Sequence, residues 1–212
     1  MKQSMDMELL FSRLLSNTNK PEIELKYFDA YTLLVAVVLS AQTTDKAVNL
    51  ITPKLFSLAK TPIEMVQLGE EKIASIIKSI GLYRTKAKNL VALSRILADS
   101  YNSEVPDSLD RLTALPGVGT KTAKVVLACA FGKPYIAVDT HVFRVAHRLS
   151  ISDGRTPDAV SKQLESIIPT HMAAKANSLL VLHGRYVCKA RAPLCKQCCL
   201  SDMCPKLIEP KK

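Results

Sequence analysis

Lys121 is a residue whose position suggests covalent chemistry. It follows the segment Leu115-Pro-Gly-Val-Gly-Thr120 directly, so it falls in the first turn of a helix that is predicted to begin after the two glycines. The positive end of a helix favours a neutral amine over an ammonium ion, and a neutral amine is a nucleophile that can form a Schiff base with a sugar carbon. An arbitrary lysine is usually just solvated, so the interpretation depends on the residues around Lys121.

The segment before Lys121 has the composition of a phosphate-binding hairpin. Pro116 ends the preceding helix, while Gly117 and Gly119 permit a tight turn that brings backbone N–H groups to the surface. The unpaired amides of the next helix add positive potential for an anion, and such binding does not depend on base sequence. A plain helix–helix turn is the competing interpretation, but Val118, expected as an exposed apolar tip, favours binding. A nucleotide-binding loop is excluded, because no strand precedes the glycines.

Asp139 supplies a carboxylate immediately before a predicted helix, Val142 to Leu149. Its simplest role is the helix N-cap, in which its side chain accepts a hydrogen bond from a backbone N–H group. The cap is compatible with chemistry, because an ionised carboxylate at a helix start can stabilise positive charge on a sugar or assist proton transfers. Both roles are therefore predicted for Asp139.

Five of the six cysteines lie between Cys188 and Cys204. Such crowding in a cytosolic chain indicates a metal or cluster site rather than disulfides. Four of them follow the pattern Cys188-x6-Cys195-x2-Cys198-x5-Cys204, and Cys199 leaves an alternative register. A zinc site usually has two CxxC pairs, and ferredoxin spacings are different. Spacing alone therefore predicts four cysteine ligands and leaves zinc or iron–sulfur open; Cys129 is predicted to be a core thiol.

The elements that must position these residues are helical by their periodicity. Tyr31–Leu39 predicts an almost entirely apolar central helix. Arg84–Ser100 predicts another, with one apolar face. Two further helices are predicted to start at Thr44–Asp45 and at Pro62. Another is predicted from Glu71 to Ile80, with a left-handed stop at Gly81. The two helices that flank the hairpin are predicted at Asp107–Leu115 and Thr120–Ala130. Pro134–Val138 is an extended connector, so the predicted class is all-α.

Composition limits the possible functions. Hydrophobic residues make up 48% of 212 residues, which excludes a disordered chain. The longest apolar run, Leu33–Leu39, is too short to cross a membrane, and the N-terminus lacks the apolar core of a signal peptide; a cytoplasmic monomer is expected. The formal charge of +10 suits a polyanionic partner, although a basic surface can also serve solubility alone.

These segments, in this order, resemble the endonuclease III family of helix-hairpin-helix DNA glycosylases. The resemblance rests on Leu115-Pro-Gly-Val-Gly-Thr-Lys-Thr-Ala, on Ile136-Ala-Val-Asp-Thr-His-Val-Phe-Arg144, on the four-cysteine spacing, and on shorter matches at Leu39–Asp45, Ile80–Tyr83 and Leu182–Tyr186. It covers nearly the whole chain. It implies a two-domain fold, with a six-helix domain at residues 22–134 and a second domain made of residues 1–21 plus 135–212 that carries the cluster loop at 188–204.

The resemblance also implies a role for individual residues. Lys121 would attack the sugar C1′ and expel the base, with Asp139 as the catalytic aspartate. Cys188, Cys195, Cys198 and Cys204 would bind a 4Fe–4S cluster. The hairpin residues Gly117, Val118 and Gly119 would bind DNA, and Gln42 and Leu82 would enter the duplex beside an extruded base. The residues alone predict less for the last two: a surface amide at Gln42 and a packing residue at Leu82.

The implied activity is removal of oxidised pyrimidines from double-stranded DNA, followed by cleavage 3′ to the abasic site through β-elimination. Two positions depart from the family pattern: Lys124 stands where Asn is familiar, and Thr113 replaces a residue that is often acidic. Both changes are expected to make the mouth of the site more positive and leave the lesion preference open. The alternatives are a single-function glycosylase of the adenine-DNA glycosylase type, which usually lacks a lysine at position 121, and a non-catalytic DNA-binding module with a structural metal site.

Overall fold

The structure is a computed structural model that describes residues 5–205, and every regular element in that range is helical. The helices are α1 (Met7–Ser16), α2 (Ala30–Ser40), α3 (Asp45–Phe56), α4 (Pro62–Leu68), α5 (Glu70–Ile77), α6 (Tyr83–Ser100), α7 (Leu109–Thr113), α8 (Thr120–Phe131), α9 (Thr140–Arg148), α10 (Pro157–Ile167) and α11 (Thr170–Tyr186), followed by a 3-10 turn at Cys195–Gln197. The all-α prediction is confirmed. Within the described range no helix is both long and apolar enough to cross a membrane.

The described chain divides into two compact units. One consists of Glu24–Phe131, and the other combines the described residues up to Ile23 with those from Gly132 onward. The sequence-based domain boundaries, at 22 and 134, lie two and three residues outside this central unit.

The central unit is built around α2. All nine side chains from Tyr31 to Leu39 are buried, as the almost entirely apolar composition of this segment predicts. A capping box starts the helix: the Asp29 carboxylate accepts from the Thr32 backbone N–H, and the Thr32 hydroxyl oxygen accepts from the Asp29 backbone N–H. Helices α3, α6 and α8 pack against α2. Helix α8, whose first turn contains Lys121, therefore packs directly against the central helix of its unit.

Two predicted boundaries in this unit are wrong. Helix α5 ends at Ile77, and the left-handed residue that follows is Leu82 (φ 58°), whereas Gly81 has no positive φ. Helix α7 covers only Leu109–Thr113, because Ser108 is extended (φ −121°, ψ 135°) and forms the N-cap. The proline at position 116 disfavours helical geometry at the residue before it, so the helix also ends earlier than predicted.

In the second unit, α1 and α9 pack against the long helix α11, and α10 packs against α9. Gly184 allows α11 to approach α9 closely, because a Cβ atom at that position would lie 2.8 Å from the Cβ of His141. Leu10, Phe11 and Val142 are fully buried in this core. The start of α9, where Asp139 lies, is thus fixed by packing on the longest helix of the unit.

Candidate active site and cysteine-lined cavity

The segment from Leu115 to Gly119 forms a tight turn between α7 and α8. Gly117 adopts a left-handed conformation (φ 77°), and the Val118 N–H donates to the Leu115 carbonyl at 3.1 Å. Gly117 and Gly119 are exposed, but Val118 is only 5% exposed. The expectation of an exposed apolar tip is therefore wrong: the valine side chain packs in the core, and the surface of the turn is backbone. This is the surface that an anion would contact at the start of α8.

The two glycines of this turn should respond differently to substitution. Gly117→Ala forces a Cβ into a left-handed residue and to within 2.8 Å of the Asn89 side chain, so we expect the free energy of unfolding to fall by about 1–2 kcal/mol. Gly119→Ala is the matched control, because its Cβ would meet nothing within 4 Å. Urea denaturation of both variants measures the difference. Equal losses would contradict this description of the turn.

Lys121 is exposed and occupies the first turn of α8. Lys124, one turn further along, is only 9% exposed and has interaction partners. The Thr113 hydroxyl donates to the carbonyl groups of Leu109 (2.9 Å) and Asp110 (3.1 Å) in its own helix. The expectation that Lys124 makes the site mouth more positive is not supported, since that side chain is buried. Lys121 is the exposed lysine that α8 presents next to the hairpin.

Asp139 is the N-cap of α9, as predicted. Its Oδ1 accepts from the backbone N–H groups of His141 and Val142, each at 2.8 Å. Among the hydrogen bonds of the described residues, both of these end on Oδ1, so Oδ2 is the oxygen available to another group. The residue is half-buried. A carboxylate fixed in this way cannot reorient freely, which is the property that electrostatic stabilisation requires.

Gln42 and Leu82 lie in two separate loops of the central unit, between α2 and α3 and before α6. Both have left-handed backbones (φ 54° and 58°). Gln42 is exposed and Leu82 is 60% exposed, so the interpretation of Leu82 as a packing residue is wrong. A large apolar side chain that is held in solvent by a disfavoured backbone has no packing role within its unit.

The four predicted ligand cysteines line one cavity of ≈ 390 Å³, a volume that includes the open solvent at its mouth. Their neighbours in the cavity wall include Leu149, His183 and Leu194, whereas Cys199 contributes its carbonyl to Arg13 at 3.3 Å. Burial, together with the nearby thiols, raises the pKa of Cys198 to about 11. Burial also lowers the pKa of His183, whose Nε2 lies 3.7 Å from Cys198 Sγ, to about 4. In residues 5–205, no three Cys, His or acidic side chains converge on one ion position.

Two arginines of α9, which the sequence reasoning missed, hold the start of this cysteine segment. Arg144 Nε donates to the Cys188 carbonyl at 3.0 Å, and its Nη2 donates to the Gly184 carbonyl at 2.8 Å. Arg148 Nη1 donates to the Lys189 carbonyl at 2.7 Å and lies 3.4 Å from Cys188 Sγ. Their spacing of four residues places both side chains on one face of α9, which was the available sequence signal. Cys129, predicted to be a core thiol, is partly buried, and burial raises its pKa to about 11.

Comparison with known proteins identifies the family. Residues 35–170 match the model of the HhH-GPD superfamily base excision DNA repair proteins. Endonuclease III of Rickettsia conorii is 48% identical over 202 residues, covering 95% of this chain and 96% of the relative. The Escherichia coli K12 endonuclease III is 45% identical over 204 residues, with 96% of each chain covered.

Solved structures agree with these relatives. A non-covalent endonuclease III–DNA complex superposes with a TM-score of 0.87 at 41% identity and covers 97% of both chains. A trapped covalent endonuclease III–DNA intermediate superposes with a TM-score of 0.85 at 40% identity and covers 95% of this chain and 97% of that one. The chain therefore belongs to the endonuclease III family of helix-hairpin-helix base excision repair proteins.

Proposed function

We propose that Lys121 and Asp139 carry out the reaction of this endonuclease III family member. The chain is a bifunctional DNA glycosylase and abasic-site lyase of base excision repair, and its partner is damaged double-stranded DNA. The observation that carries the residue assignment is the exposed amine of Lys121 in the first turn of α8, directly after a backbone-lined turn.

The reaction begins with attack of the Lys121 amine on C1′ of an extruded nucleotide. The C1′–N bond to the base breaks as the N–C1′ bond forms, and the base leaves with the electron pair and takes up a proton. After the nitrogen loses a proton, its electron pair expels O4′ from C1′; O4′ takes up a proton, the sugar ring opens and a protonated imine forms at C1′. The imine acidifies the C2′ hydrogen, and loss of that proton expels the 3′ phosphate by β-elimination. Hydrolysis of the imine then releases the lysine. The exposure of Lys121 suits a nucleophile that must reach a substrate supplied from outside.

Asp139 has the geometry to stabilise positive charge on the sugar during base departure. Its Oδ1 is held by two backbone N–H donors, so the negative charge is placed before the substrate arrives. A preorganised carboxylate costs no reorientation in the transition state. The helix cap and the catalytic role therefore use the same carboxyl group through different oxygens.

DNA contacts are assigned to the hairpin and to the two exposed left-handed residues. The exposed backbone at Gly117 and Gly119 binds the phosphate chain, and the N–H of Val118 is used inside the turn. Gln42 and Leu82 are assigned to insertion into the duplex. One side chain fills the gap that the extruded base leaves, and the other wedges into the neighbouring base stack. Oxidised pyrimidines are the proposed lesions, by family membership.

The cysteine-lined cavity fits a 4Fe–4S cluster. A cluster takes one thiolate at each iron, so its ligands surround a volume instead of meeting at one point, and Cys188, Cys195, Cys198 and Cys204 line such a volume. The cluster would fix the fold of residues 188–204 and is not needed for the steps above. The donors around it, Arg148 and the Leu200 N–H at 3.4 Å from Cys198 Sγ, would stabilise thiolate ligands.

Substitution of adjacent cysteines tests this assignment. Cys198→Ser should remove the broad visible absorption at about 400 nm that thiolate–iron charge transfer gives, because Cys198 lines the cavity. Cys199→Ser should keep the absorption, since Cys199 uses its carbonyl and is not part of the cavity wall. Absorption spectra and iron analysis of the two purified variants give the answer. Loss of colour in Cys199→Ser, or a colourless wild type that contains zinc, would overturn the assignment.

Borohydride reduction in the presence of damaged duplex DNA tests the activity itself. A covalent protein–DNA product supports the lysine mechanism. Excision without any covalent product would indicate a single-function glycosylase that uses water, and tight binding without excision would indicate a DNA-binding module. A panel of oxidised pyrimidines paired with each normal base also measures the lesion preference.

A further inference from the structure

Gln42 and Leu82 need other residues to hold their loops. A residue with a Cβ atom is disfavoured in the left-handed region, yet both side chains are exposed and so gain little from packing. Conformations of this kind persist when surrounding contacts determine them, and they occur often at functional sites. A buried residue of α6 forms hydrogen bonds to both loops.

Lys86 is that residue, and its side chain fixes the loop that carries Gln42. It lies in α6 and is only 5% exposed. Its Nζ donates to the carbonyls of Leu39 (2.9 Å) and Ala41 (2.7 Å) and to the Thr43 hydroxyl (2.9 Å). An ammonium group has three N–H donors, and all three bond to residues that precede or follow Gln42 in the chain.

The location of these acceptors explains why a cation is stable there. Leu39 and Ala41 lie at the C-terminal end of α2, where unpaired carbonyls and the helix dipole attract positive charge. Burial lowers the pKa of Lys86, so the environment costs the charged form something, and the three acceptors offset that cost. A methionine of similar length would fill the volume but remove the ammonium donor from both carbonyls and from the Thr43 hydroxyl.

The backbone of Lys86 fixes the second loop. Its N–H donates to the Leu82 carbonyl at 2.9 Å, which closes the first turn of α6 behind the left-handed residue. The peptide group and the side chain of one buried residue therefore constrain the Leu82 loop and the Gln42 loop with respect to each other. Both loops belong to the central unit, so this arrangement is internal to it.

We propose that Lys86 is a positioning residue that presets Gln42 and Leu82 for insertion into the DNA stack. The proposal rests on the DNA roles assigned to those two residues above. Lys86 does not contact the reacting atoms; it acts by keeping the two inserting side chains at a fixed separation. Substitution of Lys86 should therefore slow cleavage at a lesion in duplex DNA, where the base stack must be opened, and leave cleavage of a single strand almost unchanged.

Lys86→Met, with Lys88→Met as the matched control, tests the proposal. Lys88 loses the same charge from the same helix but is exposed. Lyase rates are measured on an abasic site in duplex DNA and on the same site in a single strand, which has no stack to open. We expect Lys86→Met to reduce kcat/KM on the duplex by about 10- to 100-fold and to change the single-strand rate by less than about threefold. Lys88→Met should leave the ratio of the two rates unchanged.

Fluorescence of 2-aminopurine placed opposite the abasic site reports insertion directly. Wild-type protein at saturation should raise the fluorescence as the opposing base is unstacked, and Lys86→Met should weaken this rise while still binding. A double variant with Gln42→Ala should lose no more than the larger single effect, because residues in one contact network do not act additively. Equal losses on duplex and single strand, or additive effects, would overturn the proposal.

Thr43→Val covers the case in which Lys86→Met does not fold. It removes one acceptor from a half-exposed position and should produce the same duplex-selective loss at a smaller size. Amide hydrogen exchange of residues 39–44 without DNA separates the positioning role of Lys86 from the proposed function of the protein. Faster exchange in Lys86→Met, together with an inactive wild-type protein, would refute the proposed function and leave the role of Lys86 in the loop intact. Unchanged exchange in both variants would refute the role of Lys86.

Discussion

Lys121→Gln is expected to abolish covalent trapping by borohydride and to reduce strand cleavage at abasic sites by about 10⁴-fold or more, because the amide cannot attack C1′ or form an imine. The substitution should leave the fold intact, since Lys121 is exposed in the first turn of α8. A denaturing gel that separates the cross-linked product, the cleaved strand and the intact strand measures both the trapping and the strand cleavage. The effect is the largest that we expect for a single substitution in this chain.

Lys121→Arg provides the control for charge. The guanidinium remains protonated, so it preserves the attraction to phosphate while removing the nucleophile. We expect wild-type affinity for a duplex with an uncleavable abasic analogue, and no trapping. A covalent product that persists in both variants would assign the attack to another amine, which peptide mapping of the adduct would identify.

Asp139→Asn should separate the two roles of the aspartate. Asparagine caps helices about as well as aspartate, so the free energy of unfolding should change by only about 0.3 kcal/mol. Glycosylase activity should nevertheless fall by about 10²- to 10⁴-fold, the usual size of a lost acid–base or electrostatic group. Single-turnover excision assays and thermal denaturation of the same preparation give the two numbers.

Asp139→Ala supplies the comparison for the cap alone. It removes both hydrogen bonds to His141 and Val142 and should cost about 1 kcal/mol of stability. Activity should be as low as in Asp139→Asn if the carboxylate charge matters. Full activity in the asparagine variant would mean that the residue only caps α9.

The helical core could be predicted from the sequence because its pattern is simple. The almost entirely apolar segment Tyr31–Leu39 predicts a central helix, and the helix starts at Thr44 and Pro62 follow from the preferences of these residues for the N-cap and the first turn. The stop at Gly81 was predicted wrongly because glycine is the usual left-handed residue, while here Leu82 takes that conformation. Helix α6 begins directly after this residue, and the Lys86 N–H donates to the Leu82 carbonyl at 2.9 Å.

The site residues also divide into those that the local sequence predicts and those that depend on tertiary packing. The cap at Asp139 and the turn at Gly117 depend on neighbours in sequence, so the sequence predicts them. The burial of Val118 and of Lys124 depends on tertiary packing and could not be seen from local spacing. Arg144 and Arg148 were missed because their partners are backbone carbonyls about 40 residues away, and a carbonyl gives no sequence signal.

The proposed catalytic carboxylate of Asp139 lies at the N-terminal end of α9. The two arginines that donate hydrogen bonds to the cysteine segment lie further towards its C-terminal end. Nine residues form a rod of about 13 Å, too short to bend and with little freedom to decouple its ends. If the proposed cluster is lost and residues 188–204 lose their order, we therefore expect the hydrogen bonds of Arg144 and Arg148 to this segment to break and the alignment of Asp139 at the start of α9 to be disturbed.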